Sequence, residues 1–258
     1  RVRSSAASDV YKRQPYGYCG GNPMNRIDPN GEAWRPTYSE DADGNIIVNG
    51  YEWVPEEESY DESGNLLRGL FHQAIFFSDN GTFNAEEKSN IGSSTATVYL
   101  ADGATETYDA CTNPSSSDYA TVPEGVYQAK VGSHKGKYTA LRMSDTDGSG
   151  KIELGEPNPN PNYSDGRTYA EGINIHKAGE KNLTGMTDNN SPVSAGCLLI
   201  DRNNWDGFIG NFDNASQKTN VVSVTVSRTL SSPSNAMIRP AFNFILNGSR
   251  FNFFNNSC

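Results

Sequence analysis

The chain has 258 residues, a formal net charge of −10 and a hydrophobic content of 35%. When glycine replaces tyrosine in that count, the apolar fraction is roughly 40%, below the ~45–50% of typical globular proteins, so part of the chain should lie outside a packed core. The 21 basic residues are outnumbered by 31 acidic ones and are scattered, which argues against a nucleic-acid partner. No run approaches ~18 consecutive apolar residues, so no membrane span is predicted.

The first 32 residues carry no signal of a packed domain. Residues 1–14 begin without Met and lack the apolar core of a signal peptide, so we expect a non-native leader. Residues 15–32 concentrate turn-forming pairs, Asn22-Pro23, Asp28-Pro29 and Asn30-Gly31. This run resembles the end of the Rhs/YD-repeat core, a large β-shell that a variable toxin domain follows. The resemblance implies delivery to the periplasm or cell wall of target bacteria and an immunity protein as a partner.

Residues 33–94 are expected to form a solvated linker with β-hairpins. Two turn signals, DADGN at 41–45 and DESGN at 61–65, are flanked by short β-prone runs. The alternative is a degenerate remnant of the repeat, because residues 60–66 are faintly similar to a YD unit.

From about residue 69, short β-prone runs separated by Gly, Asn, Pro and Ser clusters predict a mainly β domain. These runs are 70–77, 96–100, 125–131, 138–143, 172–176, 196–200 and 221–227. One helix is expected after Asp201, which can cap it. Its apolar residues recur at helical spacing and should face the core: Trp205, Phe208, Ile209 and Phe212. The Asn-rich tail, 229–258, forms either a final strand or a mobile segment, and the sequence does not decide between these alternatives.

Two residues at the ends of predicted strands have complementary chemistry. His176 ends one strand, and Cys197 lies in the Ser-Ala-Gly-Cys run that begins the next. A thiol is a useful nucleophile only as thiolate, and a nearby imidazole can take its proton or hold it in an ion pair. Gly196 permits close backbone approach, which would leave the Gly196 and Cys197 amides to bind a developing oxyanion. The alternative is a buried structural cysteine beside an unrelated histidine.

The spacing from His176 to the run Ser194–Cys197 resembles the active-site signature of the L,D-transpeptidase family. The sequence TVPEGVY at 121–127 is similar to the family's Thr-Pro-x-Gly strand upstream of the histidine, and the helix after the cysteine also agrees. The resemblance covers about residues 95–228. It implies an L,D-transpeptidase-like β-sandwich with one short amphipathic helix, acting on peptidoglycan stem peptides.

The resemblance also implies roles for individual residues. Cys197 would attack the carbonyl of an L,D-amide, and His176 would be the general base. Ser194 would help to orient the histidine through its backbone or hydroxyl, and the Gly196 and Cys197 amides would form the oxyanion site. Members of the family commonly carry Arg two residues after the cysteine, where this chain has Leu199, so Arg202 is our candidate for substrate binding. Transpeptidation and L,D-carboxypeptidase hydrolysis both stay open, and neither requires a cofactor.

Two further residues are expected to have no catalytic role. His134, in a Gly-Ser-His-Lys-Gly turn, should be solvated, and Cys111 should be a loop residue.

Residues 145–156, DTDGSGKIELGE, match the spacing of a twelve-residue calcium loop. The candidate ligands are Asp145, Asp147, Ser149, Lys151 through its carbonyl, Glu153 and Glu156. The flanks are wrong for a helix-loop-helix hand, because a strand precedes the loop and a Pro-Asn run follows it. A structural calcium site and a plain acidic turn are both open. A rival to the enzyme is therefore a non-catalytic, calcium-stabilised β module for binding or adhesion, with a structural Cys197.

Overall fold

The computed structural model describes residues 33–40, 44–61, 66–79, 92–114, 116–179, 194–213 and 221–228. The expected leader at 1–14, the Rhs-like run at 15–32 and the tail at 229–258 lie outside these ranges. Strands dominate the described residues, so the mainly β class is confirmed. Within these ranges no helix has both the length and the apolar character needed to cross a bilayer.

In the described part of the chain, eight strands close into one barrel. They are β3 (Ala74–Asp79), β4 (Ser94–Tyr99), β5 (Thr105–Cys111), β6 (Gly125–His134), β7 (Tyr138–Ser144), β10 (Asn174–Lys177), β11 (Leu198–Ile200) and β12 (Val222–Arg228). Their order is β10, β11, β5, β4, β3, β12, β6, β7, and β7 returns to β10. The pairs β10–β11 and β3–β12 are parallel. Hydrogen bonding is continuous round the sheet. The strands therefore form a closed barrel where a sandwich-like packing was expected.

Four other strands form two hairpin-like pairs outside the barrel. The first pair is β1 (Ala33–Glu40) with β2 (Ile46–Val54), followed by the single-turn helix α1 (Glu56–Ser59). The second is β8 (Lys151–Glu153) with β9 (Tyr169–Glu171). The pairing of β1 with β2 confirms a hairpin at the first predicted turn.

The barrel interior is filled by alternate side chains of each strand. Leu141 and Met143 of β7 belong to the core, whereas Arg142 between them is exposed. In the same way Ile173 and Ile175 point into the core, so Asn174 and His176 occupy the opposite face of β10. The functional residues described below lie on this outer face.

The predicted helix is present and packs as expected. A short 3-10 turn at Arg202–Asn204 leads into α2 (Trp205–Gly210), and Asp201 caps it by accepting a hydrogen bond from the Asn203 amide at 2.7 Å. All four apolar residues of its predicted face are buried in the barrel core: Trp205, Phe208, Ile209 and Phe212. Complete burial of one such phenylalanine stabilises the fold by ~1.5–3 kcal/mol.

Each of the seven predicted strands is found, with ends shifted by a few residues, but β5 was not predicted. Its first three residues are exposed, and only Tyr108, Ala110 and Cys111 are buried. Exposed Glu106 and Asp109 interrupt the β-prone pattern, although a strand with one solvated face tolerates them. Cys111 thus lies in a barrel strand rather than in the expected loop.

The expected linker, 33–94, contributes directly to the fold. It supplies β3, which pairs with β4 and β12, so the barrel begins before the expected domain boundary at residue 95. The β1–β2 hairpin also packs on the barrel rather than standing in solvent. Its buried Tyr51 hydroxyl lies 2.8 Å from Ser223 Oγ and 2.9 Å from Thr225 Oγ1, both on β12. Val48 and Tyr51 of β2 are buried in one cluster with Trp34 of β1 and Ala74 of β3, which a solvated linker would not show.

Candidate active site

The pairing of β10 with β11 brings the two chemically notable residues to neighbouring strands. The strands run parallel, with Ile175 beside Leu198. Cys197 immediately precedes β11 and therefore lies next to Asn174. Because Ile175 and Leu198 both point into the core, the residues on either side of them, including His176 and Cys197, project from the outer face. The sequence prediction that these two residues share one region is consistent with this placement.

The Cys197 thiol is held by backbone groups of the strand beside it. The Asn174 amide donates to Sγ at 3.4 Å, and Sγ lies 3.9 Å from the Gly172 carbonyl oxygen, to which the thiol can donate. Burial raises the pKa of the thiol, and the hydrogen bonds from Asn174 only partly oppose this effect. The resting sulfur is therefore a protonated thiol at neutral pH.

The His176 imidazole is buried and neutral. Only 6% of the residue is exposed, and burial lowers its pKa to about 4, with the nearby His134 adding to the shift. Its Nδ1 lies 2.9 Å from the Lys177 carbonyl oxygen. Since a carbonyl oxygen can only accept, Nδ1 carries the proton and Nε2 keeps the lone pair. Nε2 is thus the atom able to take a proton from a thiol.

No hydrogen bond joins Cys197 to His176 among the residues that the structure describes. The Tyr138 hydroxyl lies 3.5 Å from Nδ1 of His176, and the Cys197 thiolate would raise the pKa of this phenol beyond the effect of its burial. Tyr138 is therefore a neighbour of both groups. Direct proton transfer needs the two groups to come within hydrogen-bond distance, and catalytic hydrogen bonds commonly tighten only on substrate binding.

Ser194 holds the turn before the cysteine. Its hydroxyl donates to the Cys197 carbonyl oxygen at 2.7 Å and accepts from the Gly196 amide at 3.3 Å. The Lys177 carbonyl accepts from His176 Nδ1 and so orients the imidazole. The expected help of Ser194 in orienting the histidine stays a prediction.

The backbone conformation at Gly196 favours glycine. Its φ is +117°, and a Cβ at this position would lie 2.8 Å from the Ala120 carbonyl oxygen. The residue is buried, and its amide donates to Ser194 at 3.3 Å. The oxyanion role expected of Gly196 stays a prediction.

Arg202, the candidate substrate-binding residue, lies on the exposed 3-10 turn after β11. Its charge partly opposes the rise in the pKa of Tyr138 that burial and Cys197 cause, so it acts on the phenol that borders both Cys197 and His176. The Lys177 ammonium lies over the ring of the same tyrosine, 5.0 Å from its centroid. Tyr138 is thus subject to the charges of both Arg202 and Lys177.

His134 was missed as a site residue. It ends β6, and its ring stacks on that of His176 with centroids 4.1 Å apart and planes 30° apart. It is half-buried, and its Nδ1 has no hydrogen-bond partner within the described ranges. The sequence contains a hairpin pattern that bears on this residue. The Lys135-Gly136 turn joins two β-prone runs, so His134 and Tyr138 pair at the end of the hairpin.

The loop at 145–156 folds as a tight turn that satisfies its own backbone. The Asp145 carboxylate accepts from the Glu153 amide at 3.0 Å, and the Asp147 carboxylate accepts from the Ser149 amide at 2.9 Å. The Lys151 carbonyl accepts from the Asp145 amide at 2.7 Å. As predicted, a strand, β7, precedes this loop and the Pro-Asn run after it is not helical, whereas the short strand β8 lies within the loop itself.

The remaining candidate ligands do not gather around these groups. The Glu153 carboxylate accepts from Thr168 Oγ1 at 3.2 Å, and Glu156 is exposed. Across the described ranges, no three His, Cys, Asp or Glu side chains are arranged to hold a metal ion. A calcium site here stays a prediction that needs the carboxylates to rearrange.

Comparisons with family models, with curated proteins and with solved structures gave no match.

Proposed function

We propose that the chain is a cysteine-dependent acyltransferase acting on peptidoglycan stem peptides, as an L,D-transpeptidase or an L,D-carboxypeptidase. The observation that supports it is the placement of Cys197 and His176 on one face of two adjacent parallel strands, with Tyr138 beside both. The motif spacing of the sequence supports the choice of substrate class.

The reaction begins with Cys197 as a neutral thiol and His176 as a neutral imidazole. As the Cys197 sulfur attacks the amide carbonyl carbon, its proton passes to Nε2 of His176. The imidazolium then protonates the departing amine, the carbon–nitrogen bond breaks, and a thioester remains on Cys197. An acceptor amine or water, deprotonated by His176, attacks the thioester and frees the thiol. The Lys177 carbonyl stabilises the imidazolium through Nδ1 in both halves of the reaction.

The Rhs-like run at 15–32 supports a biological setting for this activity. In that setting the domain is the toxin part of a longer secreted protein and acts in the periplasm or cell wall of target bacteria. An immunity protein would then protect the producer by covering the outer face that carries Cys197.

Digestion of purified sacculi tests the proposal. Muropeptide mass spectrometry should show either loss of D-alanine from tetrapeptide stems or new cross-links after incubation with the wild-type chain. Cys197→Ala should abolish the change. Cys111→Ala is the matched control, since it also removes a thiol, but from a fully buried position on β5 that a substrate cannot reach. Sacculi left unchanged by the wild-type chain contradict the proposal.

A second candidate is a non-catalytic β module that binds the cell wall, stabilised by calcium at 145–156. The missing hydrogen bond between Cys197 and His176, together with the raised pKa of the thiol, favours it. It predicts that wild type and Cys197→Ala bind sacculi equally, leave the muropeptides unchanged and gain thermal stability with calcium.

A further inference from the structure

Asn174 lies beside the thiol on the outer face of β10. Its chain neighbours, Ile173 and Ile175, belong to the barrel core, and only 8% of Asn174 itself is exposed. Its backbone amide donates to Cys197 Sγ at 3.4 Å, and its side-chain amide hydrogen-bonds the same sulfur. One residue thus supplies two hydrogen-bond donors to the sulfur.

The Gly172 carbonyl fixes the orientation of the Asn174 side chain. Nδ2 of Asn174 donates to this carbonyl oxygen at 2.6 Å. In the reversed orientation two acceptor oxygens would face each other at that distance, so the NH2 group is the end that lies here. This group carries two hydrogens, one for the carbonyl and one for the sulfur.

The other end of the same amide is unsatisfied. Oδ1 of Asn174 is buried and has no hydrogen-bond partner within the described ranges. A buried acceptor without a partner costs free energy, which a leucine of similar size would avoid. Packing therefore does not account for an asparagine at this position, whereas its two donors to the sulfur do.

The hydrogen bonds around the sulfur suit a thiolate better than a thiol. The thiol donates to the Gly172 carbonyl oxygen over 3.9 Å, which is a long contact. When the proton leaves, that carbonyl keeps its hydrogen bond from Asn174 Nδ2. The sulfur keeps both donors of Asn174, and hydrogen bonds to an ionised acceptor are about twice as strong as those to a neutral one. Asn174 therefore favours the ionised sulfur.

Other charged and titratable groups around the sulfur and Tyr138 have smaller effects on the thiol. Lys135 lowers its pKa, but by less than either hydrogen bond from Asn174. Tyr138 and His176 are neutral at pH 7, because burial raises the pKa of the phenol and lowers that of the imidazole. The groups around this part of the site include His134, Lys135, Tyr138, His176, Lys177 and Arg202.

We infer that Asn174 is a catalytic residue whose backbone and side-chain amides stabilise the Cys197 thiolate. The imidazole of His176 takes the thiol proton on Nε2, and the negative charge stays on the sulfur until its bond to the carbonyl carbon forms. Asn174 donates to the sulfur during this interval. The role of Asn174 in acyl transfer rests on the proposed function.

Alkylation of Cys197 by iodoacetamide tests the inference without any peptidoglycan. Rate constants at pH 8 are measured by peptide mass spectrometry for wild type and for Asn174→Leu, which keeps the backbone amide and removes the side-chain donor. We expect the variant to react about threefold more slowly. Loss of one hydrogen bond to a charged acceptor lowers the thiolate fraction about tenfold, and the greater nucleophilicity of a more basic thiolate recovers part of this.

Asn174→Asp has nearly the shape of the wild-type residue and should react more slowly still, because a carboxylate beside the sulfur repels the thiolate. Cys111 reports folding in the same samples, since it is fully buried and should stay unmodified in every folded variant. If Asn174→Leu exposes Cys111, Asn174→Asp takes its place in the test.

Asn158→Leu is the matched control. Asn158 is also a buried asparagine, 9% exposed, and its side chain donates to the Tyr169 carbonyl oxygen at 2.9 Å. This variant should react at the wild-type rate. His176→Gln provides a second comparison, and its effect on the alkylation rate should be smaller than that of Asn174→Leu.

An unchanged rate in Asn174→Leu or Asn174→Asp, with Cys111 protected, overturns the inference. A larger loss of rate in His176→Gln than in Asn174→Leu also overturns it, because the imidazole would then be the group that stabilises the thiolate. Failure of the proposed function is seen separately. In that case wild type leaves sacculi unchanged, although the Asn174 variants still slow alkylation.

Discussion

The imidazoles of His134 and His176 are stacked, with centroids 4.1 Å apart. A proton on either ring disfavours a proton on the other, and burial acts in the same direction on both. Lys135 lowers both pKa values further. The pair is therefore neutral at pH 7, which makes His176 a proton acceptor rather than the cationic partner of a thiolate.

This neutral pair predicts a loss of stability in acid. The pKa of His176 falls from 6.5 in the unfolded chain to about 4 in the folded one, so the unfolded state binds more protons between these values. The free energy of unfolding should decrease as pH falls through this window, by at most ~3 kcal/mol from this residue. Urea unfolding of wild type and His176→Gln at pH 7, 5.5 and 4.5 measures it.

The His176→Gln variant is needed for comparison, because carboxylates also titrate in acid and change the unfolding free energy. Loss of the histidine should make the unfolding free energy less dependent on pH between about 6.5 and 4. Identical pH dependence in the two proteins would show that the pKa of His176 is the same in the folded and unfolded chains.

The raised pKa of Cys197 predicts how its reactivity depends on pH. Since burial holds the thiol protonated, the thiolate fraction should increase about tenfold per pH unit across the neutral range. Iodoacetamide modification of Cys197, followed by peptide mass spectrometry from pH 6 to 8.5, should rise accordingly and reach no plateau. A rate that is flat above pH 6 would instead indicate a preformed thiolate–imidazolium pair.

Local sequence patterns predict those parts of the fold whose residues are buried on one face. The α2 helix is an example, because Trp205, Phe208 and Phe212 repeat at helical spacing and all enter the core. Local patterns do not predict β5, because its exposed polar residues mask the alternation of apolar and polar positions. They also fail for the β1–β2 hairpin, since its packing against β12 depends on a contact between Tyr51 and Thr225 that no local pattern contains.

In the candidate site, too, local sequence patterns identify some residues, whereas other contacts depend on how the strands are arranged. Motif spacing points to Cys197 and His176, and the strand pairing is consistent with it. No local pattern predicts that the Ser194 hydroxyl bonds within its own turn, or that the Lys177 carbonyl accepts from the imidazole. His134 can stack on His176 because β7, the partner of β6, also pairs with β10, and predicting this contact requires knowledge of the strand order.

Replacement of Gly196 by alanine should destabilise the fold severely. The φ of +117° is costly for any residue with a Cβ, and the new Cβ would meet the Ala120 carbonyl oxygen at 2.8 Å. We expect a loss of about 2 kcal/mol or more in unfolding free energy. Gly210→Ala is the matched control, since Gly210 lies in α2 with open space around it. That change should be neutral or stabilise by ~0.5–1 kcal/mol.

Urea denaturation of Gly196→Ala and Gly210→Ala measures the two changes in unfolding free energy. If Gly196→Ala is as stable as Gly210→Ala, the turn before Cys197 has a different backbone conformation from the one described.

Tyr51→Phe tests whether the β1–β2 hairpin is an integral part of the barrel. The Tyr51 hydroxyl is buried between Ser223 and Thr225, and burial raises its pKa to about 12. Its removal leaves two β12 hydroxyls without this partner, which should cost ~1–2 kcal/mol of the global unfolding free energy. Tyr38→Phe on β1 is the control, because Tyr38 is 48% exposed, and it should change stability by less than ~0.5 kcal/mol. A solvated linker would make both substitutions neutral, so equal and negligible effects would return residues 33–54 to the linker role first expected of them.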